Sequence, residues 1–294
     1  MNFADTLNGA IQRKGTPICV GLDPHWGQIP SFLKKETSSP GEAIFLFNKG
    51  IIDAISEFVP IVKPQLAFYE KFGIDGIKAF SETIKYAKEK GLLVLADGKR
   101  NDIGSTATAY AEAYLSNACE DFGRNIDALT VNGYLGSDGI RPFLEVCKNE
   151  GKGIFVLLRT SNSSAGELQD IELKEGGKML DQIASLISVW GTDLVDESGY
   201  SSVGAVVGAT YPEEAALLRK KLPNTIFLVP GYGAQGGGAD DVKPCFNKDG
   251  LGAIVNSSRG IIFAYQKDEK YAEKDFAAAA REATLKMKEE LQGA

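Results

Sequence analysis

Leu92-Leu93-Val94-Leu95-Ala96-Asp97-Gly98-Lys99-Arg100-Asn101-Asp102-Ile103-Gly104-Ser105-Thr106 is an apolar run that ends in alternating charges. The apolar residues from Leu92 to Ala96 follow a glycine and give way to charge, the pattern of a parallel strand buried on both faces. Side chains alternate along a strand, so Asp97 and Lys99 are expected to point the same way. Asp102 comes three residues after Lys99, where the chain turns into an expected helix, Ser105 to Cys119. The charges therefore collect at the strand's carboxyl end. An ordinary βα loop also carries Asp and Lys, and Asp102 or Ser105 could simply cap the helix. The element gains its meaning from the rest of the chain.

The same kind of run recurs at Ile18 to Leu22, Val59 to Val62, Ala128 to Val131, Ile154 to Leu158, Val203 to Val207, Ile226 to Val229 and Ala253 to Val255. Helix-like segments lie between them: Ala43 to Phe58, Ile74 to Lys90, Asp138 to Lys148, Lys178 to Val195 and Pro212 to Lys221, with Tyr271 to Gln292 after the last. Strands alternating with helices make a parallel sheet, and eight such units close most simply into a (β/α)8 TIM barrel, an α/β fold. A doubly wound open sheet is the alternative, but the Gly-x-Gly-x-x-Gly turn is missing after the first strand. No low-complexity linker divides the 294 residues, so one domain spanning 1–294 is expected.

Composition narrows the function. The chain is 44% hydrophobic, enough for a large core, and its 39 acidic and 32 basic residues give a net charge of -7. With no Lys/Arg cluster, nucleic-acid binding is not expected. An anionic ligand must be met by a few locally placed cations. Cys19, Cys119, Cys147 and Cys245 are far apart, with no C-x-x-C, and read as reduced structural thiols. His25 is the single histidine, which excludes a His-rich metal site and disfavours a Ser-His-Asp triad. It reads as a loop residue. The stretch Met1 to Lys14 has no signal-peptide core, and no apolar run approaches membrane-spanning length. A cytoplasmic protein with no membrane partner is the expectation.

Polar residues mark nearly every expected strand end: Asp23, Lys63 with Gln65, Asp97 with Lys99, Asn132, Ser161, Gln235 and Arg259. In a barrel that end is where sites are built. Lys63 ends the run from Val59 and precedes Pro64, so it is expected at the rim beside Asp97 and Lys99. Two lysines and two aspartates then form an alternating row, in which each charge is held ionised by its opposite neighbours. A protonated lysine in such a row can hand a proton to a carbanion.

Phosphate has its own signal. Pro230-Gly231-Tyr232-Gly233-Ala234-Gln235-Gly236-Gly237-Gly238 follows the seventh strand, and Asn256-Ser257-Ser258-Arg259-Gly260 follows the eighth. Barrels commonly bind phosphate on these two loops, where glycine lets backbone N–H groups approach and arginine supplies a fork. Two loops are long, Thr160 to Gly177 and Tyr232 to Gly250, and are candidate lids.

Taken together, Asp97-x-Lys99-x-x-Asp102-Ile103-x-x-Thr106, Val62-Lys63-Pro64, Pro230-Gly231-Tyr232-Gly233-Ala234-Gln235 and Ser258-Arg259-Gly260 make the whole chain resemble the orotidine 5'-phosphate decarboxylase family, in its longer bacterial branch. The resemblance implies decarboxylation of orotidine 5'-phosphate to UMP and CO2, the last step of UMP biosynthesis, with neither metal nor cofactor. It implies that Lys99 protonates C6 of the pyrimidine while Asp97 faces the departing carboxylate. Lys63 and Asp102 complete the row, with Asp102 and Thr106 reaching in from the partner subunit of a homodimer that shares its active sites. Asp23 is implied at the ribose, Ser161 or its neighbour Thr160 at the pyrimidine, and Gln235 with Arg259 at the phosphate, with Ser258 also among the substrate-binding residues. Gly98 stands where the family more often has Ala, and Asn101 where the longer branch often has Gly; neither change touches a charged position.

Two rival readings of the same residues remain. One is a metal-dependent phosphosugar decarboxylase or synthase on the same barrel, and the other a non-catalytic nucleotide-binding barrel. A Schiff-base aldolase using Lys99 or Lys63 is disfavoured, because a lysine beside aspartates stays charged and is a poor nucleophile.

Overall fold

The computed structural model describes residues 2–233 and 236–292. Eight parallel strands close into a barrel in sequence order: β1 Ile18–Leu22, β2 Ile61–Pro64, β3 Leu93–Arg100, β4 Ala128–Val131, β5 Gly153–Arg159, β6 Ser201–Val207, β7 Thr225–Val229 and β8 Ala253–Ser257. The seam closes where β1 pairs with β8, Cys19 lying between Ile61 on one side and Asn256 on the other. The (β/α)8 barrel read from the alternating pattern is the fold observed.

The principal helices are α1 Phe3–Lys14, α2 Pro40–Ile55, α3 Gly73–Glu89, α4 Gly104–Leu115, α5 Ser137–Glu150, α6 Met179–Gly191, α7 Pro212–Lys221, α8 Arg259–Ile262 and α9 Phe276–Gln292. Their sequences explain where they start and what they bury. In α2, Ser39 caps the first turn by accepting the Glu42 N–H at 3.2 Å, and Pro40 takes the first helical position, where a missing N–H costs nothing. Ile44, Phe47, Ile51 and Ile55 recur at helical spacing and are fully buried against the barrel.

Strand alternation divides the core in two. Val20, Val62, Val94, Leu129 and Val156 face outward under the helices. Cys19, Ile61, Leu93, Leu95, Ala128, Phe155, Ile226, Leu228 and Ile254 fill the interior. The inward series changes character toward the carboxyl end: Cys19 leads to Asp23 through Gly21, Ile61 to Lys63, Leu95 to Asp97, Ala128 to Thr130, and Ile254 to Asn256. One period-two pattern thus builds an apolar floor and a polar mouth.

The floor is closed by α1, a helix outside the expected alternation of strands and helices. Asn2 accepts the Asp5 N–H at 2.9 Å and Gly15 ends the helix with φ 64°. Phe3, Leu7, Ala10 and Ile11 are buried in the interior cluster, with Phe3 edge-on to Phe155 at 6.0 Å.

Element ends shift in ways that matter for the site. β2 begins and ends two residues later than expected, so Lys63 lies inside it. β3 does not stop at Ala96 but carries Asp97, Gly98 and Lys99 as far as Arg100. α4 ends at Leu115, leaving Cys119 in the turn beyond, and α9 begins at Phe276. All four cysteines are unpaired, and Cys19, Cys147 and Cys245 are buried. Among the described residues no helix is long and apolar enough to cross a membrane.

Candidate active site

The mouth of the barrel holds a cavity of about 910 Å3. Asp23, Lys63, Gln65, Asp97, Lys99, Asn132, Thr160, Ser161, Ser258 and Arg259 all line it. The expected row of charges begins at Lys63, whose Nζ lies 2.8 Å from Asp97 Oδ2, and continues to Lys99, whose Nζ lies 2.6 Å from Asp97 Oδ1. Lys63 and Asp97 are buried, whereas the Lys99 side chain is 46% exposed and faces the cavity.

An irregularity in β3 makes this geometry. Ala96 pairs with Leu129 but Arg100 pairs with Val131, so four steps on β3 oppose two on β4. The surplus residues are those that carry the charges. Lys99 has φ 46°, the one non-glycine among the described residues in the left-handed region, a conformation costing roughly 1–2 kcal/mol for an L-residue. Thr130 holds it there. Its Oγ1 accepts the Lys99 N–H at 3.0 Å and donates to Asp97 Oδ1 at 2.8 Å. Local strain at a site persists only where its surroundings impose it.

Burial alone would push the Asp97 carboxyl up, but Lys63 and Lys99, by charge and by hydrogen bond, hold it well below the usual carboxylate range. Burial likewise works against the Lys63 ammonium, yet Asp97 and Asp23 raise it above the ordinary lysine value. The pair is therefore ionised throughout the neutral range. Both Asp97 oxygens are occupied by ammonium and hydroxyl donors, which leaves that carboxylate poorly disposed to a metal. Among the described residues no cluster of three or more His, Cys, Asp or Glu side chains is placed to hold one.

Asp102 does not join the row within this chain. Its Oδ1 accepts the Ile103 N–H at 2.8 Å, and neither Asp102 nor the exposed Thr106 lines the cavity. Asp102 adjoins Leu135 instead, both lying against Gly139, where an added Cβ would be 3.0 Å from the Asp102 carbonyl and 3.3 Å from the Leu135 Cβ. Ile103, Tyr134 and Leu135 are large apolar side chains exposed along this part of the chain.

Around the rest of the mouth, Asp23 and Asn256 each present a buried Oδ1 with no hydrogen-bond partner among the described residues. Such atoms are costly unless something pairs with them. Thr160 Oγ1 is engaged by Gln169 Nε2 and by Asn162 Oδ1, both at 2.7 Å. Arg259 is exposed at the start of α8, and Gly231, with φ 101°, lines the cavity just past the neighbouring strand β7. Tyr232 follows, its hydroxyl donating to Glu290 Oε2 at 2.6 Å. Gln235, expected beside Arg259, lies outside the described residues. His25 does not line the cavity; its ring sits 4.3 Å from that of Phe68.

Gly98 has a steric reason. A Cβ there would lie 2.7 Å from Leu66 Cδ1, and Leu66 is itself buried, donating its N–H to the Asp97 carbonyl at 3.2 Å. The leucine fills the space that an alanine at position 98 would need. Thr130 is not among the expected site residues, and Asn256 is expected only within the loop after the eighth strand; both line the cavity. Alternation, counted two residues back from Asn132 and two on from Ile254, turns both side chains into the mouth.

The orotidine 5'-phosphate decarboxylase / HUMPS family matches residues 16–274. An orotidine 5'-phosphate decarboxylase of Rhodopirellula baltica is 48% identical over 100% of both chains. One from Clostridium tetani is 42% identical over 98% of this chain and 96% of its own. The solved structure of Leishmania donovani OMP decarboxylase covers 100% of this chain and 98% of its own, at 30% identity and a TM-score of 0.78.

Proposed function

The chain belongs to the orotidine 5'-phosphate decarboxylase / HUMPS family, and from that premise we propose that Lys63, Asp97 and Lys99, completed by Asp102 of a second copy, form its catalytic row. The reaction is the decarboxylation of orotidine 5'-phosphate to UMP and CO2, the final step of pyrimidine biosynthesis, and the enzyme is a carboxy-lyase. The catalytic domain spans the chain and works in the cytoplasm.

Loss of CO2 breaks the bond between C6 and the carboxylate carbon and leaves the electron pair on C6. The Lys99 ammonium is aimed into the cavity before the substrate arrives, so it stabilises that charge without reorganisation and then transfers its proton to C6. Asp97 holds Lys99 on one oxygen and Lys63 on the other, and faces the departing carboxylate. Asp23 pairs with the ribose hydroxyls, Ser161 with the pyrimidine, and Gln235, Ser258 and Arg259 with the phosphate. The unpartnered Asp23 Oδ1 and the engaged Thr160 hydroxyl support the ribose assignment and the choice of Ser161 over Thr160. No metal or cofactor takes part.

The second copy is supported by Asp102 and Thr106 lying outside their own chain's cavity, beside the exposed apolar Ile103, Tyr134 and Leu135. In a two-fold dimer the same patch meets itself, placing each Asp102 at the other site.

The observation that carries this reading is the buried, ionised Lys63–Asp97 pair with Lys99 at its cavity end. The test is to add orotidine 5'-phosphate to the purified protein with EDTA present and follow the absorbance change and the UMP formed. Undiminished turnover is expected. Loss of turnover restored by a divalent metal would favour the phosphosugar enzymes of this barrel, and UMP binding without turnover would indicate a sensor.

A further inference from the structure

Arg159 is the last residue of β5, and Thr160 and Ser161 follow it into the site. Phe155 and Leu157 point inward, so strict alternation would send Arg159 into the barrel. An irregularity after Leu157 pairs Arg159 with Val207 instead, whose side chain belongs to the outer core. The guanidinium is therefore re-aimed behind the site wall. There it is 4% exposed, with Nε 2.6 Å from Glu214 Oε2 on α7 and Nη1 3.2 Å from Asp170 Oδ2. The Tyr211 ring centroid lies 4.2 Å from its central carbon, and the other Asp170 oxygen takes Lys178 Nζ at 2.9 Å.

None of Arg159, Asp170, Tyr211 or Glu214 lines the cavity. What they hold is the loop that does. Asp170 follows Gln169, which accepts the Thr160 N–H at 3.1 Å and donates to the Thr160 hydroxyl at 2.7 Å. The Arg159 carbonyl also accepts the Gly208 N–H at 2.8 Å. Ser161 is thus suspended between a pinned residue before it and a pinned turn after it. Its own hydroxyl is not engaged among the described residues. Burying a guanidinium is expensive unless it is paired, and a planar fork can meet one carboxylate from the loop after β5 and another from α7.

Resting on the reading that Ser161 meets the pyrimidine, we infer that Arg159, bridging Asp170 and Glu214, is a positioning residue that fixes the Ser161 hydroxyl for recognition of the base. Loosening the bridge leaves the catalytic row intact and displaces one hydrogen-bonding group.

A double-mutant cycle tests this with Asp170→Asn, whose side chain is half-buried at the surface and not needed for the barrel core. Asp170→Asn should lower kcat/KM by about ten-fold and Ser161→Ala by at least as much, while the double variant is no worse than Ser161→Ala alone. The same pattern should hold for orotidine, which lacks the phosphate, since the effect is on the base. If both single variants are impaired but their effects multiply, the positioning role is overturned while Ser161 keeps its place at the pyrimidine. Wild-type kinetics in Asp170→Asn overturn it equally. Wild-type kinetics in Ser161→Ala remove the premise and the inference with it.

Discussion

Gly21 and Ser258 face each other so closely across the seam between β1 and β8 that a Cβ on Gly21 would lie 1.8 Å from Ser258 Oγ and 2.8 Å from its Cβ. The closure of the barrel therefore sets two strand ends, one leading to Asp23 and the other to Arg259, at a fixed separation. Gly21→Ala should force them apart, at a cost of roughly 1–3 kcal/mol for overpacking. Urea denaturation measures the stability, and kcat/KM should fall as well, because the ribose and phosphate contacts lose their common frame. A variant as stable and as active as wild type would show that Ser258 turns aside freely.

The left-handed backbone at Lys99 makes an unusual stability prediction. Glycine in a strand is normally less stable than alanine. At φ 46° the order should reverse, with Lys99→Gly more stable than Lys99→Ala by on the order of 1 kcal/mol. Both variants lack the ammonium, so the comparison isolates the backbone term. Equal midpoints in urea would mean that the irregularity in β3 relaxes when the side chain is gone.

Acid should weaken the fold partly through Asp97. Its carboxyl is held below the usual carboxylate range in the native state, whereas in the unfolded chain it titrates near about 4. In the interval below that value the unfolded state binds a proton that the native state does not, so stability is lost as pH falls. Asp97→Asn is less stable at neutral pH, because Lys63 is left buried without its partner. Its acid limb should nevertheless be flatter by up to about one proton. Unfolding free energies measured from pH 2 to 5 give the slope, and identical slopes for the two proteins would contradict the assignment.

Arg259 is exposed at the mouth and makes no side-chain hydrogen bond or ion pair among the described residues, so its replacement should read on the substrate and not on the fold. Arg259→Ala should cut kcat/KM for orotidine 5'-phosphate by a factor on the order of 10² or more. Orotidine should then react about equally poorly with both proteins. If the variant still discriminates between the two substrates as strongly as wild type, Arg259 is not at the phosphate.

The eight strands and the charges at their ends were legible because both follow from one local rule, the alternation of side chains. The α1 helix is also written in the spacing of Phe3, Leu7, Ala10 and Ile11, but Asp5 within that stripe and Arg13 and Lys14 just after it mask its period. Other features are not local. The surplus residues in β3 are defined only against β4, so the left-handed Lys99 and its hold by Thr130 required the barrel to be closed. Arg159 was hidden for the same reason: alternation counts it as an interior residue, and only its register against Val207 turns it outward. Asp102 marks another limit: the motif names it, yet within its own chain it accepts the Ile103 N–H and does not line the cavity.

The central claim is that three charges from one chain and one from its partner decarboxylate the substrate, and subunit mixing tests it most directly. Lys99→Ala and Asp102→Ala should each be inactive alone while still binding UMP. Random pairing makes about half the dimers mixed, each with one intact site of two, so remixing should restore about a quarter of wild-type turnover of orotidine 5'-phosphate. Near-normal turnover by Lys99→Ala alone would contradict the proton donor. No recovery after verified subunit exchange would contradict the shared row.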